Sequence, residues 1–193
     1  MGTEMGVKEY QQYCKDKLLS LYDSVDVEWN PFKKFNVGNK QYCPRLDIAV
    51  GPFAINTRLE SQYNRLLSER ESRKFIDSLI KFNNDNVRNI VTGSETNFEM
   101  MKYFNYNARC FICVEIENKV SRKHIVGGLI NASALGRIAV LVAWTPDKLK
   151  AFLKLKNYLN FLSSVEKNSF KTDNVLILSK EQFKIVVDAI NIG

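Results

Sequence analysis

Residues 110–119 read CFICVEIENK, an apolar run that turns into charged residues at every second position. In an extended strand alternate side chains point to the same face. One face is therefore predicted to carry Phe111, Cys113, Glu115, Glu117 and Lys119, and the other Ile112, Val114 and Ile116. Two neighbouring carboxylates repel each other unless water, a lysine or a divalent cation compensates them. The stretch is either an edge strand whose charged end leaves the core or a strand that brings carboxylates together for a purpose.

The sequence on both sides of this stretch predicts an α/β fold. Strands are predicted from Ser24 (SVDVEW), after Pro44 up to Val50, from Ile138 (IAVLVAW) and at 174–179 (NVLILS). Helices are predicted over residues 7–21, over 122–135, from Pro146 onwards and after the capping box of Ser179 and Gln182. Strands and helices alternate after residue 110, which is typical of parallel strands joined by crossover helices.

The chain is predicted to form one domain over residues 1–193, because domains usually contain about 100 to 200 residues. The strand that ends at Val50 carries Asp47. Between it and the stretch at 110–119 the chain is predicted to be helical from Arg58 to about Phe82 and irregular through 109, with a short helix in NFEMMKYF. These segments form a predicted helical insert at about 58–105.

Two pairs of small residues carry expectations of their own. Gly127 and Gly128 fall inside the predicted helix 122–135, and close packing of that helix on the sheet would explain them. Cys110 and Cys113 have the spacing of a zinc-binding pair, but an offset of three in a strand predicts that their thiols lie on opposite faces. The sequence therefore predicts reduced, packed cysteines.

Composition indicates the class of partner. The 28 Lys and Arg residues against 21 Asp and Glu give a net charge of +7, which favours acidic partners, nucleic acid first among them. No apolar run reaches the roughly 18 residues needed to cross a bilayer, and the first residues lack the apolar core of a secretion signal. The sequence therefore predicts a cytoplasmic protein with no membrane partner.

The order of these elements resembles the PD-(D/E)xK superfamily, the restriction-endonuclease-like nucleases. The resemblance covers roughly residues 5–144: an opening helix, a strand with Asp47, a strand with closely spaced glutamates and a lysine, a helix and a buried strand. It implies a restriction-endonuclease-like mixed central sheet flanked by helices. It also implies that Asp47, in the stretched Pro-Asp motif PRLD, is the first ligand of a catalytic Mg²⁺ or Mn²⁺ ion.

The motif on the next strand fits in two registers, and both stay open. Glu117-Asn118-Lys119 matches the acid-x-lysine spacing of the superfamily, whereas Glu115-Ile116-Glu117 resembles its variant with a second glutamate. The resemblance thus implies that Asp47, Glu115, Glu117 and Lys119 are catalytic, and that the three acids bind the metal. Hard carboxylate oxygens are the ligands that Mg²⁺ prefers.

Other charged residues are predicted to support this site. Contacts with DNA phosphates are predicted for Arg122, Lys123, Lys150 and Lys154. His124 and Glu9 either face the site or are simply exposed to solvent. The predicted function is a Mg²⁺-dependent endonuclease that hydrolyses DNA phosphodiester bonds. The alternative is a non-catalytic DNA-binding or assembly protein that retains the nuclease fold. Because many enzymes of the superfamily pair to cut two strands, the resemblance also predicts a homodimer.

Overall fold

A five-stranded mixed sheet forms the centre of the computed structural model, which describes residues 5–32, 43–88, 90, 95–118, 122–167 and 171–191. The strands lie side by side in chain order: β1 Val25–Trp29, β2 Leu46–Val50, β3 Cys110–Glu117, β4 Gly136–Ala143 and β5 Val175–Ser179. β2 runs antiparallel to both β1 and β3, whereas β3, β4 and β5 are parallel to one another.

Helices cover both faces of this sheet. They are α1 Val7–Leu18, α2 Glu60–Ser68, α3 Arg70–Arg88, α4 Phe98–Met101, α5 Arg122–Leu135, α6 Pro146–Ser164 and α7 Lys180–Asp188, followed by a short 3-10 turn. Buried residues of α1, α3 and α7 form one apolar core against the sheet. Buried residues of α5 and α6 form a second core on the other side. The predicted α/β class, with a mixed sheet between helices, is confirmed.

Local sequence signals fix the starts of two helices. The Thr145 side chain accepts a hydrogen bond from the Lys148 backbone N–H, and Pro146 occupies the first turn of α6. The predicted capping box of Ser179 and Gln182 begins α7. Ser121, the predicted cap of α5, lies outside the described residues.

Helix α3 is longer than predicted, because it continues past Phe82 to Arg88. Two asparagines in this extension bond to β5 at the edge of the sheet. Asn83 Oδ1 accepts a hydrogen bond from the Ile177 N–H at 3.0 Å, and Asn86 Nδ2 donates to the Ile177 carbonyl at 2.9 Å. The polar run NNDN looked irregular in sequence, but its amides satisfy strand groups that would otherwise be unpaired at an edge.

The start of β3 departs from strict alternation. Phe111 and Ile112 both pack into the core beside α1 and α3, whereas Cys110 and Cys113 both belong to the core beside α5. The prediction that the two thiols face opposite ways was therefore wrong. Both cysteines are free and buried, as expected for packed thiols.

None of the helices within the described ranges is both long enough and apolar enough to cross a membrane.

Candidate functional site

A cleft of about 1080 Å³ opens at the end of β3 where the predicted acids lie. Its walls come from the N-terminal turns of α1, from β1 and β2, and from α5. Asp47, Glu115 and Glu117 all line it. The structure thus brings together, from two neighbouring strands, the three acids that the sequence had suggested as a set.

Asp47 is held between β3 and α1 by two hydrogen bonds. Its Oδ2 accepts from the backbone N–H of Ile116 at 2.6 Å, and its Oδ1 accepts from Gln11 Nε2 at 2.9 Å. Burial raises the pKa of the Asp47 carboxyl to about 6; the Ile116 hydrogen bond opposes this rise, and the charges of Glu28 and Glu117 add to it. The carboxyl group is therefore oriented by the chain but resists ionisation.

Glu115 has the most poorly compensated carboxyl group of the cleft. Its Oε1 is buried and has no hydrogen-bond partner among the described residues. Burial first, and then the negative charges of Asp47, Glu117 and Glu28, raise the pKa of Glu115 well above its ordinary value. A buried carboxylate without a hydrogen-bond donor is destabilising, so this oxygen needs a proton or a cation to neutralise it.

Glu28 of β1 is a fourth acid of the cleft, and sequence reasoning did not select it. β1 pairs Val27 with Ile48 and Trp29 with Leu46, so Glu28 lies across from Asp47. Its φ of 51° is unusual for a residue other than glycine. The alternation of Asp26 and Glu28 in SVDVEW was the available signal.

Two side chains connect Glu28 to its surroundings. Arg45 Nε lies 2.5 Å from Glu28 Oε2. Gln11 Nε2, already bonded to Asp47, also lies 3.4 Å from Glu28 Oε1. Gln11 thus bridges two acids on adjacent strands, and Arg45 balances one of them at the rim of the cleft.

Carboxylate oxygens are the ligands that hard divalent cations prefer. The Glu115 oxygen without a hydrogen-bond partner indicates that positive charge is missing beside it. Within the described ranges, however, no three acidic, histidine or cysteine side chains are gathered closely enough to hold a metal ion as they stand. Lys119, the predicted catalytic lysine, lies outside the described residues. The donor atoms are therefore of the type that binds Mg²⁺ or Mn²⁺, but each acid is held in its own position.

Two of the four residues predicted to contact phosphates lie away from the acidic cleft. Lys150 and Lys154 line a second cavity, of about 500 Å³, together with residues of α5 and α6. The side chains of Arg122 and Lys123 lie outside the described part of the chain. Among the described residues, Lys8 and Arg45 are the cations that line the acidic cleft, and His124 and Glu9 line it as well.

Gly127 and Gly128 of α5 also line the cleft. A Cβ atom added at either position would meet no atom of the described residues within 4 Å. The prediction that these glycines allow close packing on the sheet was therefore wrong, because they face open space.

Comparisons with protein-family models, with curated proteins and with solved structures found no match to this chain. Its function is therefore inferred from the residues of the cleft. Those residues combine oriented, poorly ionised carboxyl groups with cations at the rim. Such a set can bind a divalent cation together with an anionic ligand.

Proposed function

We propose that this chain is a Mg²⁺- or Mn²⁺-dependent endonuclease of the restriction-endonuclease-like type, and that it hydrolyses DNA phosphodiester bonds. The observation that carries the proposal is the hydrogen bond from the Ile116 N–H to Asp47. Ile116 lies between Glu115 and Glu117, so this bond fixes the acid of β2 beside both acids of β3. The three acids then face one cleft.

The arrangement of elements supports the same proposal. An opening helix, a strand with Asp47, the glutamate strand, a helix and a buried parallel strand follow one another as the resemblance to the superfamily implied. The segment between β2 and β3 contains α2, α3 and α4. Both registers of the glutamate motif remain compatible with this order, because Glu117 belongs to each of them.

In this proposal Asp47, Glu115 and Glu117 would hold a divalent cation, which would supply a more acidic water and positive charge for the reacting phosphate. Gln11 keeps the Asp47 carboxyl group in place, and the Ile116 N–H does so from the other side. Lys8 and Arg45, which line the cleft, would offer positive charge to the DNA phosphates.

The main alternative is a DNA-binding or assembly protein with this fold and no catalysis. Two observations favour it, and the first is that the described acids do not form a ready-made group of three metal ligands. Arg45 also neutralises part of the acidic set through its ion pair with Glu28. A protein of this kind would bind DNA equally well with and without a divalent cation.

Cation-dependent cleavage separates the two candidates. Supercoiled plasmid, linear duplex, single-stranded and branched DNA are incubated with the purified protein in Mg²⁺, in Mn²⁺ and in EDTA. We expect nicking or cutting with either metal and none in EDTA. Binding without cleavage on every substrate would favour the alternative, and neither binding nor cleavage would exclude both.

Two variants purified in the same way exclude a contaminating nuclease. Asp47→Asn removes a proposed ligand while keeping a side chain that accepts the Ile116 hydrogen bond, so cleavage should disappear. Asp23→Asn changes an exposed acid that does not line the cleft and should leave cleavage unchanged. Equal cleavage by both variants would mean that the cleft is not the active site.

A further inference from the structure

One face of α5 forms a wall of the acidic cleft. His124, Gly127, Gly128 and Asn131 line that wall, at the spacing of residues that share one side of a helix. The two residues in the middle of this face, Gly127 and Gly128, are glycines and have no side chain. The wall therefore has a shallow stretch between two polar residues.

The glycines of this face serve no purpose inside the described chain. A Cβ atom at either one would have no atom of the described chain within 4 Å, so the described neighbouring elements do not require its absence. Neither glycine has a positive φ, so the backbone does not require it either. Glycine within a helix costs about 1 kcal/mol relative to alanine. Two glycines that destabilise the helix without a structural need inside the described chain indicate that the open space accommodates a ligand.

A second, independent observation in the same cleft also indicates an absent ligand. The Oε1 atom of Glu115 is buried without a hydrogen-bond partner among the described residues. Native proteins rarely leave such an atom unpaired unless a ligand, ion or water completes its surroundings. Both the open wall and the unpaired oxygen border one cavity.

We infer that the sugar-phosphate backbone of one nucleic-acid strand lies on the Gly127–Gly128 face of α5 as it passes the carboxylates. The inference rests on the proposed nuclease function and adds the path of the substrate. A glycine surface offers no side-chain donor or acceptor that could distinguish bases, but it permits close approach of a chain. Contact there is therefore made by shape and is independent of base sequence.

Filling the shallow stretch should block the strand without harming the fold. Gly127→Leu and Gly128→Leu add side chains into the cleft, whereas Gly127→Ala and Gly128→Ala add only a methyl group into open space. Ala134→Leu is the matched control, because Ala134 is exposed on the same helix and does not line the cleft. Fluorescence anisotropy of a labelled 20-nucleotide DNA, single-stranded and as duplex, gives the affinity in Ca²⁺.

We expect each leucine variant in the glycine pair to bind DNA at least tenfold more weakly than the wild type. The alanine variants and Ala134→Leu should bind within threefold of it. Thermal melting should give the alanine variants a melting temperature equal to or above that of the wild type. A lower melting temperature would show that the glycines serve packing, and it would overturn the inference even if the leucine variants fail to fold.

The binding data also separate this inference from the proposed function. Wild-type cleavage together with unchanged DNA affinity in both leucine variants would remove the substrate path and leave the nuclease proposal intact. A wild-type protein that binds neither form of the DNA would remove the proposed function, and the inference would fall with it.

Discussion

At the scale of single residues, the carboxyl groups of Asp47 and Glu115 are difficult to ionise in the folded chain. Burial is the main cause for both, and neighbouring acids add to it. The ordinary structural solution would be an apolar residue or a fully paired acid. A protein that keeps such acids together in an open cleft sacrifices stability there, as functional sites commonly do.

Asp47 should therefore destabilise the protein at neutral pH when no metal is present. Its folded-state pKa of about 6 exceeds the ordinary 3.8, so the folded state binds more protons between these values and stability falls as pH rises through them. A rise of about two pKa units corresponds to about 3 kcal/mol. In urea unfolding with EDTA, Asp47→Asn should be more stable than the wild type by up to that amount at pH 7.5.

The gain should shrink as the pH falls and should be mostly lost by pH 4, because it vanishes once the carboxyl group is protonated in both the folded and the unfolded state. Asp23→Asn, which changes an exposed acid, should show no comparable trend. A gain from Asp47→Asn that is the same at pH 4 and pH 7.5 would contradict desolvation as its cause.

The residues at 115–119 permit a test of the working register. Glu117→Gln should reduce cleavage by at least about 100-fold in either register, with the melting temperature unchanged. If Glu117 and Lys119 are the working pair, Lys119→Ala should abolish cleavage while Mn²⁺ binding persists, because a lysine does not bind the metal. If Glu115 and Glu117 are the pair, Glu115→Gln should weaken Mn²⁺ binding and cleavage together.

Isothermal titration with Mn²⁺ beside a plasmid cleavage assay on the three variants separates these registers. Under the Glu115–Glu117 register, Lys119→Ala should weaken only DNA affinity, by the loss of one phosphate contact. Full activity of Glu117→Gln would eliminate both registers at once.

At the scale of elements, the contact between α3 and β5 depends on two amides. Asn83 is fully buried, and its Oδ1 is the partner of the Ile177 N–H at the edge of the sheet. Asn83→Ala leaves that N–H buried and unpaired, which costs about 1 to 3 kcal/mol. We expect a lower free energy of unfolding by about 2 kcal/mol in urea titration, with cleavage retained below the transition.

Asn157→Ala is the matched control for this prediction. Asn157 is exposed on α6, so its loss should change the free energy of unfolding by less than about 0.5 kcal/mol. Equal stability of the two variants would mean that water or a neighbouring group replaces Asn83 at the strand edge.

The same contact shows which features of the fold sequence could predict. Periodic apolar positions and helix caps are local signals, and they sufficed for the five strands and for the starts of α6 and α7. The end of α3 was missed because the NNDN amides are stabilised by a strand about 90 residues away in the chain. Local patterns carry no information about such partners.

The candidate site shows the same division. The spacing of Glu115 and Glu117 in β3 was visible in the sequence, as was Asp47 in its own strand. Glu28 was missed because its place beside Asp47 depends on the pairing of β1 with β2, which local sequence does not show. The role of Gly127 and Gly128 was misjudged because a glycine that faces a cleft and one that faces a sheet look alike in sequence.

At the scale of the whole molecule, positive charge is distributed over more than one surface. Lys8 borders the acidic cleft, whereas Lys150 and Lys154 border the cavity between α5 and α6. The net charge of +7 favours DNA binding in general, but it does not identify the surface that contacts the DNA. A homodimer stays a prediction of the resemblance. In a homodimer the surface that contacts DNA would be present twice.

The salt dependence of DNA binding counts the phosphate contacts that each surface makes. For duplex DNA, the logarithm of the binding constant falls with the logarithm of salt concentration by about 0.9 per neutralised phosphate. We expect Lys8→Ala to reduce this slope by about one, and the double variant Lys150→Ala/Lys154→Ala to reduce it by about two. The control is Lys81→Ala, an exposed lysine on α3 that lines neither of these two cavities. It removes the same charge but should leave the slope unchanged. A slope that falls only with Lys8→Ala would confine the DNA to the acidic cleft. An equal decrease of the slope in all variants, the control included, would mean that the net charge attracts DNA without a specific contact surface.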